Sequence, residues 1–215
     1  MINHTPDTSS TVSLFHYGEK ELNHLRQKDK KLGAAIDRIH VEQMVQRFVE
    51  PDLFANLVRS IIAQQVSRKA ADTVYGRFQG AFGNITPENL LTKSIDDIQK
   101  LGVSARKAGY LFNTATMIAT GELDLDGLRT MSDDQVVSSL SKLPGIGKWT
   151  AEMILIFSLG RMDVVSYGDL ALLRGMCNLY GHDTITKDLF QKYRKRYSPY
   201  GTVASFYLWE LSHSS

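Results

Sequence analysis

The chain has 215 residues, 43% of them hydrophobic and 22% charged, with a formal net charge of +2. That length supports one sizeable core or two small helical lobes, and the near-neutral balance excludes a protein that grips nucleic acid through a strongly basic tail. A single cysteine, Cys177, excludes an internal disulfide framework and any four-cysteine zinc or iron–sulfur site, and it fits a reducing compartment.

The polar opening MINHTPDTSSTVS has no signal-peptide apolar region and reads as a disordered tail over residues 1–14. Leu22 and Leu25, then Leu32, Ile36 and Ile39, suggest helices ahead of Glu50-Pro51. Between Asp52 and Phe82, Leu53, Leu57, Ile61, Ile62, Val66, Ala70, Val74 and Phe78 recur at helical spacing. Thr86-Pro87-Glu88-Asn89 reads as an N-cap followed by proline at the first helical position, and Ser94-Ile95-Asp96-Asp97 opens a short helix. Leu101-Gly102-Val103-Ser104 is a turn, followed by a helix that ends at Gly121. Ser132-Asp133-Asp134 caps the helix leading to Leu143, and helices are expected at 148–159, 170–180, 185–196 and 202–213. The apolar stretches are broken by Glu152, Ser158 and Arg161 before they reach membrane-spanning length. The reading is all-α, in two helical lobes with a cleft between them. Residues 15–67 and 170–215 would form one lobe and 68–169 the other.

Two features carry chemistry. In LPGIGKWTAEM, residues 143–153, a Gly-x-Gly turn joins two helices. Glycines permit positive φ and close backbone approach. The first amides of the second helix have no partner within it and lie at the positive end of the helix dipole, so they can hold a phosphate. The Leu-Pro-Gly-Ile-Gly string, with Ile146 plugging the gap between two helices, resembles a helix-hairpin-helix, an element that binds the DNA backbone and reads phosphate rather than sequence; the resemblance makes Gly145, Gly147, Lys148 and Thr150 the candidate contacts. A plain helix–helix turn with a C-cap glycine is the alternative. LGVSARKAGYL, residues 101–111, is a weaker echo of the same pattern.

The second feature is Asp169, which ends the loop RMDVVSYGD just before the helix LALLRGMCNLY. It reads as an N-cap. A carboxylate so placed also suits a reaction whose transition state is a sugar oxocarbenium cation, which it can stabilise while orienting a water. Sugar hydrolases usually use a second carboxyl as acid. None stands out: Glu152 lies on the apolar helix, and Asp163 reads as a solvated loop residue.

The glycine turn, the following helix and the loop ending in Asp169 resemble the signature of the helix-hairpin-helix DNA glycosylase superfamily. Trp149, SIIAQQVSRKAA (60–71) and SPYGTVASFYLWEL (198–211) are similar to the alkyl-base, or 3-methyladenine glycosylase II, branch, in a short form without the N-terminal β-domain of longer members. The resemblance implies a monofunctional glycosylase that hydrolyses the N-glycosidic bond of alkylated purines in double-stranded DNA, starting base excision repair. The expected protein is an intracellular monomer (cytoplasmic in a bacterium, nuclear in a eukaryote) that acts on damaged duplex and not at a membrane.

Residue by residue, the resemblance makes Asp169 catalytic and places Trp149, Met153 and Trp209 in the base pocket, although an average tryptophan is more often a core residue and Met153 fits core or pocket equally. A methylated purine is cationic and favours an electron-rich ring face. It also leaves as a neutral base, which accounts for the missing acid. Gln64 and Gln65 take the wedge and cleft positions, with Gln65 filling the gap left by a flipped nucleotide; a solvated helix end is the alternative. Bifunctional members carry a Schiff-base lysine where this chain has Trp149, and Lys148 sits one step early, turned by about 100° on the helix. The carbonyls of Ser141, Leu143 and Ile146 match those that hold a structural Na or K ion in such hairpins. No cofactor is expected for catalysis, and no iron–sulfur cluster. A related pattern has arginine where Gly201 stands, and KYRKR (192–196) reads as a solvated helix face, with a duplex contact as the alternative. A non-catalytic binder of abasic or distorted DNA and a lyase acting on oxidised bases are the rival readings.

Overall fold

A computed structural model describes residues 12–40 and 45–213. In chain order the elements are β1 (Ser13–Leu14), α1 (Glu19–Lys28), α2 (Lys30–His40), β2 (Phe48–Val49), α3 (Leu53–Ala63), α4 (Arg68–Phe82), α5 (Pro87–Leu91) and α6 (Ile95–Lys100). They continue with α7 (Ala105–Ala119), a 3₁₀ turn at Gly127–Thr130, α8 (Asp133–Leu140), α9 (Lys148–Phe157), α10 (Leu170–Tyr180), α11 (Lys187–Tyr197) and α12 (Gly201–Leu211). The protein is mainly helical, as the spacing of apolar residues predicts.

Local chemistry sets where these helices begin. The side chains of Asp52, Ser67, Thr86, Ser94, Ser104, Ser132, Asp169 and Thr186 each accept an amide from the first turn that follows. Such a cap satisfies a donor the helix leaves orphaned and contributes about 1 kcal/mol. The described helices run to at most 15 residues, marginal alone in water, so packing holds them.

The periodic run from Asp52 to Phe82 is two helices, because Gln64 to Ser67 break it and Ser67 caps the second. The tail expectation needs correction at its end. Residues 1–11 lie outside the described residues, but Ser13 and Leu14 pair antiparallel with Val49 and Phe48. Phe15 is buried, and its ring meets Phe206 edge-on at 5.0 Å.

The chain divides into two compact units, Val12 with Glu50–Ile154 and Ser13–Val49 with Leu155–Ser215. These boundaries differ from the expected ones at 67/68 and 169/170. In the first unit, α7 packs on α3, α5 and α6, and α3 also packs on α4, which draws α3 and the 64–67 loop into this unit. Leu57, Ile61, Phe78, Leu90, Leu111 and Leu140 are among its fully buried residues.

In the second unit α12 is mostly apolar and buried from Gly201 to Leu208, with its Thr202 and Ser205 hydroxyls hydrogen-bonded. It packs on α10 at Gly175, where a Cβ would overlap the carbonyl oxygen of Leu208. Buried Asp29 ties the α1–α2 turn to α10 and α11. It accepts the Leu32 amide (3.0 Å), the Tyr180 hydroxyl (2.8 Å) and Arg196 (3.0 Å). A buried carboxylate with several charge-assisted partners holds its place, whereas one stripped of them would be costly.

Candidate active site

The glycine turn lies in the first unit. Leu143 and Ile146 are buried, and the Ile146 amide donates to the Leu143 carbonyl at 3.1 Å, closing the turn between α8 and α9. Gly145 has φ +83°, and a Cβ there would run into the Tyr110 ring of α7. A side chain at this position is therefore excluded by both backbone and packing. Gly147 is different: a Cβ there would meet no protein atom, so the start of α9 is open to an approaching backbone.

Lys148 is exposed at the first helical position, with Nζ 3.8 Å from Glu152 Oε1 one turn on. Thr150 is buried, which leaves only its main-chain amide for a phosphate. Trp149 keeps 47% of its surface exposed despite its size, and half-buried Met153 follows at i+4 on the same helical face. Gln64 is not a solvated helix end, since its Nε2 donates to the Gly145 carbonyl at 2.7 Å. Gln65 beside it is exposed and has φ +57°.

Asp169 lies in the second unit and is 8% exposed. The capping reading holds in its geometry, and a second donor meets the other oxygen. Oδ1 accepts the Leu172 amide at 2.9 Å as the N-cap of α10, and Oδ2 accepts the Trp209 indole N–H at 3.2 Å. The carboxylate thus sits at the positive end of a helix with a donor on each oxygen, an arrangement suited to a fixed anion. Trp209 is itself held by Phe157, stacked at 5.9 Å and 21°.

The loop before Asp169 is riveted to the first turn of α12. Asp163 is no solvated loop residue: Oδ2 accepts Ser198 Oγ at 2.7 Å and Oδ1 accepts the Gly201 amide at 3.1 Å. Thr202 Oγ1 donates to the Arg161 carbonyl at 2.6 Å and accepts the Val164 amide at 3.0 Å. At Gly201 a Cβ would come within 2.6 Å of Val165 Cγ2 and 2.7 Å of Asp163 Oδ1, which explains why no arginine stands there. The KYRKR face is only partly solvated, because Arg194 donates to the Asp163 carbonyl at 3.0 Å and Arg196 to Asp29.

Asp163, expected as a solvated loop residue, is instead a structural tie, and Phe157 and the exposed apolar pair flanking Asp169, Tyr167 and Leu170, do not stand out in the sequence pattern. Leu170 is 77% exposed and lies out of phase with the buried positions 172, 175 and 176, a signal that was present in the sequence.

The glycine hairpin and, one loop later, the helix-capping aspartate both lie within a stretch that matches a class of base excision DNA repair protein. The profile of the HhH-GPD superfamily base excision DNA repair proteins matches residues 58–199, and the chain belongs to that superfamily. It is 32% identical over 164 residues to DNA-3-methyladenine glycosylase 1 of Schizosaccharomyces pombe, covering 74% of this chain and 72% of that one. The crystal structure of a DNA-3-methyladenine glycosidase from Bacillus halodurans superposes with a TM-score of 0.82 at 35% identity, covering 94% of this chain and 93% of that one. The S. pombe Mag1 glycosylase in complex with abasic DNA gives a TM-score of 0.76 at 28% identity, over 89% and 96% of the two chains. No helix among the described residues is long and apolar enough to cross a membrane.

Proposed function

We propose that this chain is a monofunctional DNA glycosylase that removes alkylated purines of the 3-methyladenine and 7-methylguanine type from duplex DNA, starting base excision repair. The observation that carries this reading is Asp169, a buried carboxylate with a donor on each oxygen. The names of the relatives, DNA-3-methyladenine glycosylases, support the substrate class.

In the proposed reaction the C1′–N bond breaks and its electron pair leaves with the base. An N-alkylated purine starts as a cation and departs neutral, so no general acid is needed. Positive charge moves to the sugar, where the Asp169 carboxylate stabilises it. Water then adds to C1′, and its proton passes to the carboxylate and on to solvent. Trp149 and Trp209 offer electron-rich faces to the cationic base, worth about 0.5–2 kcal/mol over a neutral one. The amides at the start of α9 hold a DNA phosphate, with Lys148 adding charge.

Lyase chemistry is not part of the proposal, because the position of the Schiff-base lysine in bifunctional members is Trp149 and Lys148 pairs with Glu152. We also assign a Na or K ion to the carbonyls of Ser141, Leu143 and Ile146. Their chemistry fits a hard monovalent cation, and the Leu143 oxygen keeps a second lone pair after accepting the Ile146 amide. Incubation with methylated duplex DNA should release free methylated purine and leave intact abasic strands. Binding of abasic duplex without any release would instead mark a non-catalytic binder.

A further inference from the structure

The turn Leu101–Ser104, which echoes the glycine hairpin in sequence, has no part in the chemistry above. Its helix, α7, begins under the Ser104 cap, and Lys107 is the third helical residue. The Lys107 side chain reaches the end of α3, where Nζ donates to the carbonyls of Ile62 (2.8 Å) and Gln64 (2.6 Å). These are acceptors that a helix C-terminus leaves without helical partners, at the negative end of its dipole, where a cation is favoured.

The next residue is Gln65, with φ +57°. A non-glycine residue in the left-handed region is strained and persists only where its surroundings impose the conformation. Two tethers act on the residue before it, Gln64. Its carbonyl is gripped by Lys107, and its side-chain amide is anchored on the Gly145 carbonyl of the hairpin at 2.7 Å. Burial, with a smaller contribution from Arg106, lowers the Lys107 pKa, as expected for an amine docked against the protein and not waving in solvent.

We propose that Lys107 is a positioning residue for nucleotide flipping: it clamps the C-terminus of α3 so that Gln65 is presented in its left-handed conformation, ready to fill the gap in the duplex. The inference rests on the reading of Gln65 as the wedge. It gives the hairpin and the wedge a common frame, because Gln64 joins the lysine clamp to the turn that holds the phosphate.

The test uses the full chain and a duplex containing a stable abasic analogue beside 2-aminopurine, whose fluorescence reports insertion into the stack. Base release is followed separately on methylated DNA. Lys107→Met keeps length and loses the donors, and it should lower the insertion equilibrium about tenfold and slow single-turnover release to a similar degree. Affinity for undamaged duplex should stay within roughly twofold, since phosphate contacts set it. Lys107→Arg should restore most of the loss. In a Gln65→Ala background, Lys107→Met should add less than about twofold, because the two residues act as one unit.

A folded Lys107→Met that inserts like wild type, while Gln65→Ala is impaired, overturns the clamp alone. Undiminished loss in the Gln65→Ala background assigns Lys107 to general stability and also overturns it. Wild-type insertion by Gln65→Ala overturns the wedge reading and the clamp with it. If Lys107→Met melts early, Lys107→Gln, too short and uncharged to hold both carbonyls, carries the same comparisons with an expected loss of about threefold.

Discussion

Replacing Asp169 by asparagine isolates charge from capping. The asparagine carbonyl oxygen still accepts the Leu172 amide now held at 2.9 Å, so the cap survives, with a loss of at most tenths of a kcal/mol. On the other side the new amide nitrogen meets the Trp209 N–H, donor against donor, where a 3.2 Å hydrogen bond to a carboxylate stood. That loss costs about 1.5–3 kcal/mol. The kinetic effect should be larger. A unit charge about 4 Å from a developing cation is worth about 4 kcal/mol at an effective dielectric constant near 20. At about 1.36 kcal/mol per decade that is roughly a thousandfold in rate. Single-turnover release of methylpurine from duplex DNA measures it, with binding of an abasic analogue followed by anisotropy. Release should fall by about that factor while binding persists. A folded Asp169→Asn that releases base within roughly threefold of wild type would refute the electrostatic assignment. Unfolding of Asp169→Asn, with Asp169→Ser folded and active, would leave only the capping role.

No strand cleavage and no borohydride-trapped DNA adduct should form; an adduct through Lys148 would show that this lysine reaches the sugar despite its place at the start of α9. Trp209→Phe removes the indole donor but keeps a ring on Phe157. It should slow release of charged lesions by about tenfold with little change in affinity for abasic product, whereas equal losses in both would make Trp209 a fold or DNA contact. Hypoxanthine, a neutral lesion, should be removed much more slowly than 3-methyladenine; comparable rates would point to an acid, with Glu152 the first residue to test. Gly175→Ala drives a Cβ into the Leu208 carbonyl between α10 and α12 and should cost about 3 kcal/mol or more in urea denaturation. A midpoint unchanged from wild type would mean that the two helices can separate there without loss.

The sequence by itself determined what is local in the chain. Helix starts at Ser94, Ser132 and Asp169 were legible because a cap and the amide it accepts lie within three residues of each other. The hairpin was legible for the same reason, since Gly145 needs its positive φ and Ile146 its burial whatever surrounds them. Only the tertiary structure decided which distant groups meet. Asp163 holds the first turn of α12 through Gly201, Trp209 bonds Asp169 from forty residues away, and Lys107 grips the end of α3. Helical periodicity says which face of a helix is buried but not against what. A polar side chain finds its partner only after the apolar faces have packed, and that placed α3 with the hairpin and joined the loop before Asp169 to α12.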